Sequence, residues 1–347
     1  MVVLLVIFSI GAIVVAHEFG HFMAAKLLGV RVKEFMLGLP SPKIFTISSS
    51  RGTKYGITIL PIGGYVRFVS TLEKEDLSEE ELKEAFESQY WWKRVIIILS
   101  GPIMNLIVPI LLIAAIFMVG MPAPSTIIEK VYGKSAAEKA SIRAGDKIIA
   151  INNKPVAEWD EVIEVIQQSA GKRISVTISR KDRKLTLSAV PEEKDSKGFL
   201  GIRAKLVNQR FGPLKAFYHG TIITGEMTIR ICQVLYALLT KGKILGALGS
   251  PIRITQELTQ EMYRGYIFFL QSLSFISIGL AIANLIPLPP LDGGRIVLLG
   301  VEAVSGKPLD REKLLWIQAV GFLLLMSLMI YLIVMDVQRL VPAVMKL

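Results

Sequence analysis

The chain has 347 residues, 52% of them hydrophobic and only 20% charged, with a net charge of +11 and a mean hydropathy of +0.51. That balance excludes an ordinary cytosolic globule and a disordered tail, and the single cysteine, Cys232, excludes a scaffold of intrachain disulfides. The basic excess sits mostly between residues 129 and 264, with 23 cations against 14 anions. No aromatic-interleaved basic motif accompanies it, so it reads as a solvated face near anionic headgroups, with no nucleic acid as partner.

Residues 1–16, 95–119, 265–291 and 314–335 contain no Lys, Arg, Asp or Glu. About 20 apolar residues cross about 30 Å of hydrocarbon. The runs therefore predict a polytopic α-helical membrane protein with four transmembrane helices: Val2–Leu28, Val95–Val119, Tyr266–Pro287 and Leu314–Met335. The first has no cation before Lys26 and no small-x-small cleavage site, and is expected to be a retained signal-anchor. Trp91-Trp92-Lys93-Arg94 reads as an interfacial anchor ahead of the second helix. Cations follow the first helix (Lys26, Arg31, Lys33) and fill the connection between the third and fourth (Arg295, Lys307, Arg311, Lys313). The positive-inside rule then puts 29–94 and 292–313 in the cytoplasm, and both termini and 120–264 outside.

Within 29–94, KIFTISSS, KYGITIL and GGYVRFV alternate apolar and polar residues. Gly63-Gly64 lies between two of these runs, which predicts a β-hairpin or small sheet on the cytoplasmic side. Glu73–Glu87 is expected to be an acidic, helical, solvated connector. Further on, TIIEKV, KIIAINN, RISVTISR and KLTLSAV read as strands, and AEWDEVIEVIQQS has helical spacing, with Trp159, Val162, Ile163 and Ile166 on one face. The phrase SAAEKASIRAGDKIIAINNKPV resembles a PDZ domain, which implies an inserted α+β domain over 120–210 that binds an extended peptide by strand addition. The loop that cradles a peptide carboxylate in that family is not evident near 120–127. Residues 211–264 are expected to be an amphipathic juxtamembrane segment, with 213–248 lying on or dipping into the lipid bilayer. Residues 292–313 are expected to form a loop.

Two of the three histidines fall in His17-Glu18-Phe19-Gly20-His21, an HExxH motif. On a helix, residues i and i+4 share a face, so both imidazoles reach one ion. Zinc takes such ligands, leaves one position for water, and makes that water acidic. Glu18 beside the first ligand is placed to accept the proton and return it to the leaving amine. Ionisable residues inside a transmembrane helix are costly and mark function. Asp292 is the strongest third ligand: it is the first charge after 27 uncharged residues, in NLIPLPPLDGG. The first and third helices run in the same direction. His17 lies about 24 Å along one and Pro287 about 33 Å along the other at about 1.5 Å per residue, so both approach the cytoplasmic side. The remaining histidine, His219, falls in the amphipathic segment.

HEFGH in the first helix with NLIPLPPLDGG late in the chain resembles the site-2 protease family of intramembrane zinc metalloproteases. PIGGYVRF at 61–68, SGPIMNLIVP at 100–109 and GSPIRI at 249–254 match its bacterial regulator-of-sigma-E-protease branch. The resemblance implies one Zn2+ held by His17, His21 and Asp292, with Glu18 as catalytic base. Asn284 would orient substrate backbone or the oxyanion, and Asn105 would support the site structurally. Gly63 and Gly64 would belong to a membrane re-entrant β-loop that pairs with extended substrate. The implied activity is regulated intramembrane proteolysis of single-pass membrane proteins, either an anti-sigma factor or signal-peptide remnants, in the bacterial inner membrane. One PDZ-like domain is visible where the best-known members carry two. Two other readings are a silent PDZ membrane scaffold, which binds no metal, and a zinc protease of another clan using a glutamate such as Glu302 as third ligand.

Overall fold

The structure, a computed structural model, describes residues 1–50, 52–72, 77–240, 249–307 and 309–344, without the side chains of 239 and 339–344. In chain order its elements are α1 (Val2–Leu27), β1 (Val32–Leu37), β2 (Lys43–Ser48), β3 (Lys54–Thr58), β4 (Gly64–Phe68), α2 (Glu79–Glu84) and α3 (Trp91–Val119). Next come β5 (Met121–Val131), α4 (Ala136–Lys139), β6 (Lys147–Ile151), β7 (Lys154–Pro155), α5 (Trp159–Gln168), β8 (Ile174–Arg180), β9 (Arg183–Ala189), β10 (Glu192–Lys194), β11 (Lys197–Phe199) and β12 (Ile202–Gln209). The chain continues through α6 (Pro213–Thr240), α7 (Pro251–Arg264), α8 (Tyr266–Asn284), α9 (Asp292–Ser305) and α10 (Arg311–Val344). They divide into two compact units, Met1–Ile116 with Pro213–Leu347, and Phe117–Gly212.

In the larger unit α1, α3, α8 and α10 are long and apolar enough to cross a membrane. α3 runs through Pro102 and Pro109 without breaking. A proline removes the N–H that would bond the carbonyl four residues earlier, and inside lipid that carbonyl must find another donor. For Pro109 the freed carbonyl is that of Asn105, and Ser277 Oγ of α8 donates to it at 2.8 Å. Val6, Ile13, Leu258, Phe269 and Leu273 form a core joining α1, α7 and α8. Phe22, Ala25, Val30, Val32 and Ile97 form another, covered by Phe35, Val66 and Phe68. α10 meets the loop after α8 at Gly321, where a Cβ would lie 1.7 Å from the Pro289 carbonyl oxygen.

Four expectations need correction. The strands flanking Gly63-Gly64 do not form a hairpin with each other. The sheet order is β2-β3-β1-β4, with β1 parallel to β3 and antiparallel to β4; the hairpin is β2 with β3. Residues 292–305, expected as loop, form α9. The third apolar helix stops at Asn284 instead of Pro287, because a residue before proline is pushed out of the helical region. The second begins at Trp91, so the Trp-Trp-Lys-Arg run is its first turn. Of the acidic connector, Glu79–Glu84 is helical, closed by a capping box between Ser78 and Glu81; residues 73–76 lie outside the described set. Residues 213–240 are one continuous helix, and 241–248 lie outside the described residues.

The smaller unit is a sheet ordered β12-β5-β6-β8-β9, with β7 beside β6. Trp159, Val162 and Ile166 of α5 pack on its core with Ile148, Val176 and Ile178. Buried Asp146 accepts hydrogen bonds from Arg180 Nε and Nη2, both at 2.7 Å, and from the Arg143 N–H at 2.8 Å. Burial works against its charge, but the guanidinium and the amide hold its carboxyl below the usual carboxylate range. A carboxyl with a lowered folded pKa adds stability that is present above its unfolded value, about 4, and lost as pH falls through the folded one. Arg180→Met is therefore expected to cost about 1–2 kcal/mol at pH 7, discounted because the side chain is partly solvated. The deficit should shrink below about pH 4. Hydrogen-exchange protection of β6 and β8 across that range checks it; equal protection at pH 7 would remove the pair from the stability of this unit.

Candidate metal centre

The helical repeat of α1 puts His17 and His21 on one face, both buried. Their Nε2 atoms are 3.2 Å apart, and Asp292 Oδ2 lies 3.0 Å from the first and 3.4 Å from the second. Asp292 comes from the far end of the sequence. It is the first residue of α9, whose start folds back on the preceding loop. A Cβ at Gly293 would lie 2.3 Å from the Leu285 oxygen, and one at Gly294 2.5 Å from the Pro289 nitrogen. The two glycines are thus what lets the carboxylate reach the histidines.

α3 supplies the opposite wall. A Cβ at Gly20 of α1 would stand 2.2 Å from the Ser100 carbonyl oxygen, and one at Gly101 2.3 Å from His21 Nε2 and 2.8 Å from His17 Cε1. The missing side chain of Gly101 leaves space against His21 Nε2 and the edge of the His17 ring. His21 Nδ1–H donates to the Ile97 carbonyl oxygen at 2.8 Å, which orients the ring so that Nε2 is the nitrogen facing Asp292.

These features fit a zinc ion. The three ligand atoms lie within 4.8 Å of one another and all three residues are buried. Asp292 Oδ2 is buried and accepts no hydrogen bond. Two imidazole nitrogens and one carboxylate are a ligand set zinc takes, with a fourth position left open. Glu18, one residue along α1, points toward β4, where its Oε2 accepts the Val66 N–H at 3.2 Å. It lines a cavity of about 750 Å³ with His17, Tyr65, Asn284, Asp292 and Arg295.

The other expected residues fall in different places. Asn284 Nδ2 is 3.3 Å from His17 Nε2, and Asn105 Nδ2 is 3.3 Å from His17 Nδ1. Gly63 and Gly64 lie instead against Val14 and Val15 of α1, where they let β4 pack close to the helix. His219 lies on α6 and is not part of the cluster. Glu302 lies apart from the three ligand atoms too: it pairs with Arg94 at 2.9 Å and accepts the Leu309 N–H at 3.2 Å. Sequence reasoning passed over Gly101, the Ile97 carbonyl and the Val66 amide. For Gly101 a signal existed, since Gly101 and Asn105 are four apart and so share a face of α3. The two backbone groups carry no side-chain signal at all.

Residues 5–328 match peptidase family M50. A candidate zinc metalloprotease of Clostridium acetobutylicum is 31% identical, the match covering 96% of this chain and 97% of the relative. The regulator of sigma-W protease RasP of Bacillus subtilis is 27% identical over 95% of this chain and 96% of its own length. The regulator of sigma-E protease RseP of Escherichia coli is 25% identical over 93% and 95%. The buried His-His-Asp cluster and a family match spanning nearly the whole sequence agree: the chain belongs to peptidase family M50, the site-2 proteases, and is a zinc metalloprotease.

Proposed function

We propose that this metalloprotease cuts a peptide bond inside the transmembrane segment of single-pass membrane proteins, close to the cytoplasmic face of a bacterial membrane. The observation that carries the reading is that two of the three clustered ligand-type side chains belong to a helix long and apolar enough to span a bilayer. A site held at that depth acts on chains that are themselves in lipid. His17, His21 and Asp292 hold the zinc. Bound there, the ion supplies Lewis acidity, polarising a peptide carbonyl and acidifying a water. Glu18 takes the proton from that water and delivers it to the leaving amine nitrogen. The Val66 N–H steadies the carboxylate in the geometry this transfer needs. Asn284, reaching the same cavity, is a hydrogen-bond donor for the substrate carbonyl as negative charge develops on it.

A helical substrate has its carbonyls bonded within its own helix and must unwind before it is cut. In lipid the freed groups need protein partners. β4 stands at the end of its sheet, beside the base, and the outer-edge groups not already engaged by Glu18 can pair with an extended segment by strand addition. The positive-inside charge pattern supports a reading in which residues 120–210 lie outside the cytoplasm. This PDZ-like portion takes an extended peptide ligand, and with 213–248 it restricts entry to substrates already trimmed outside. An anti-sigma factor and signal-peptide remnants both meet that description.

Three measurements test this in purified, detergent-solubilised protein. Glu18→Gln is expected to keep one zinc per chain and to lose cleavage of a helical reporter by about 10²–10⁴-fold; cleavage at the parent rate would remove Glu18 as the base. Asp292→Ala is expected to lose zinc and His219→Ala to keep it; the opposite pattern would overturn the ligand set. Gly101→Ala is expected to lose zinc, since its new methyl would press on His21 Nε2 and on the His17 ring at Cε1. Mass-spectrometric mapping of the cut in a co-expressed reporter, if it fell outside the transmembrane segment, would overturn the proposal.

A further inference from the structure

Asn105 is completely buried on α3. Its amide nitrogen faces His17 Nδ1 at 3.3 Å, while its amide oxygen has no hydrogen-bond partner. Its backbone is fixed by the Ser277 hydroxyl, which takes the carbonyl freed by Pro109. A buried carboxamide oxygen with no donor is costly, and here the nearest ring nitrogen is one step from being that donor. A neutral imidazole carries one proton. When Nε2 commits its lone pair to an ion, the proton must sit on Nδ1. Nδ1 then needs an acceptor, and an NH₂ group cannot be one. A half-turn of the Asn105 amide about Cβ–Cγ exchanges the two ends, whose shapes are nearly alike. The oxygen then receives the Nδ1–H.

We propose that Asn105 is a positioning residue for His17: its amide oxygen accepts Nδ1–H and so holds the imidazole as the neutral tautomer that presents Nε2 to the zinc. The proposal rests on the ligand reading given above. It makes the two histidines equivalent in design, each steadied through Nδ1 by an acceptor on α3, the Ile97 carbonyl for His21 and the Asn105 side chain for His17. Acceptors of this kind set ligand orientation and basicity, and their loss typically weakens metal affinity 10–100-fold. Asn284 Nδ2 is 3.5 Å from the same Nδ1 but 3.3 Å from Nε2, so it stands across the ring and toward the ligand nitrogen, whereas the Asn105 amide is the nearer group to Nδ1 at 3.3 Å.

The test uses full-length protein in detergent, titrated with zinc alone and, separately, loaded with cobalt. Asn105→Leu keeps the volume and removes the acceptor. It is expected to bind zinc about 10–100-fold more weakly, while thermal unfolding of the zinc-free protein stays near the parent. Asn105→Asp keeps an acceptor oxygen and loses the donor, and is expected to bind at least as tightly as the parent. In the cobalt protein two exchangeable imidazole N–H resonances are expected, shifted by the metal. Asn105→Leu should lose the His17 signal to solvent exchange and keep that of His21. Parent zinc affinity in Asn105→Leu would overturn the proposal. So would an equal loss in Asn105→Asp, because the donor end of the amide would then be what matters. His17→Ala separates the two levels: if it kept full zinc affinity, the ligand reading itself would fail, whatever Asn105 does.

Discussion

Everything at the metal centre depends on how closely α1 and α3 approach. Their backbones meet where Gly20 faces the Ser100 carbonyl and Gly101 faces both imidazoles. Helices in lipid gain nothing from hiding apolar side chains from each other, so contact through small residues is what brings them together. With any larger residue at either position the helices would stand off. Ile97 would then lose His21, Asn105 would lose His17, and Asp292 would have no pair to meet.

Burying His17, His21, Asn105, Ser274, Ser277 and Asp292 among apolar helices costs free energy unless each group finds a partner. Most of the partners cross between helices. Ser277 reaches Asn105, His21 reaches Ile97, and Arg94 of α3 reaches Glu302 of α9. The last pair ties the far end of α9 to α3, so the helix that begins with Asp292 is held at both ends. Truncating one member of a pair this shielded would leave a charge with no compensation. The sheet is held in the same way, with Glu34 inside it receiving Lys43 at 2.6 Å and Tyr65 at 3.0 Å.

The spans and the cluster were legible for local reasons. Charge-free runs of the required length reveal α1, α3, α8 and α10, and a histidine-poor chain makes HExxH conspicuous. Asp292 shows itself as the first charge after a long apolar stretch, followed by two glycines. What stayed hidden depends on distant partners. β1 carries Lys33 and Glu34 in its interior and so lacks a clean strand pattern; Lys43, remote in sequence, neutralises that glutamate and the Tyr65 hydroxyl donates to it. α9 hides behind Gly293-Gly294, which favour a loop over 292–313 because glycine weakens helices; the close backbone approach that these glycines permit is made inside a helix. Gly63-Gly64 resembles a hairpin turn, yet the strand pairing is decided by β1, which inserts between the two runs.

Pro109 has one more effect. A smooth spanning helix presents no free carbonyl, so neighbouring helices can slide past one another at little expense. Removing one N–H opens a single bonding address on the flank of α3, and the Ser277 hydroxyl occupies it. A slip of one residue would carry that oxygen about 1.5 Å along the axis and about 100° around it, out of the hydroxyl's reach. The axial phase of α8 against α3 is thereby indexed, and with it the depth at which Asn284 stands level with the histidines.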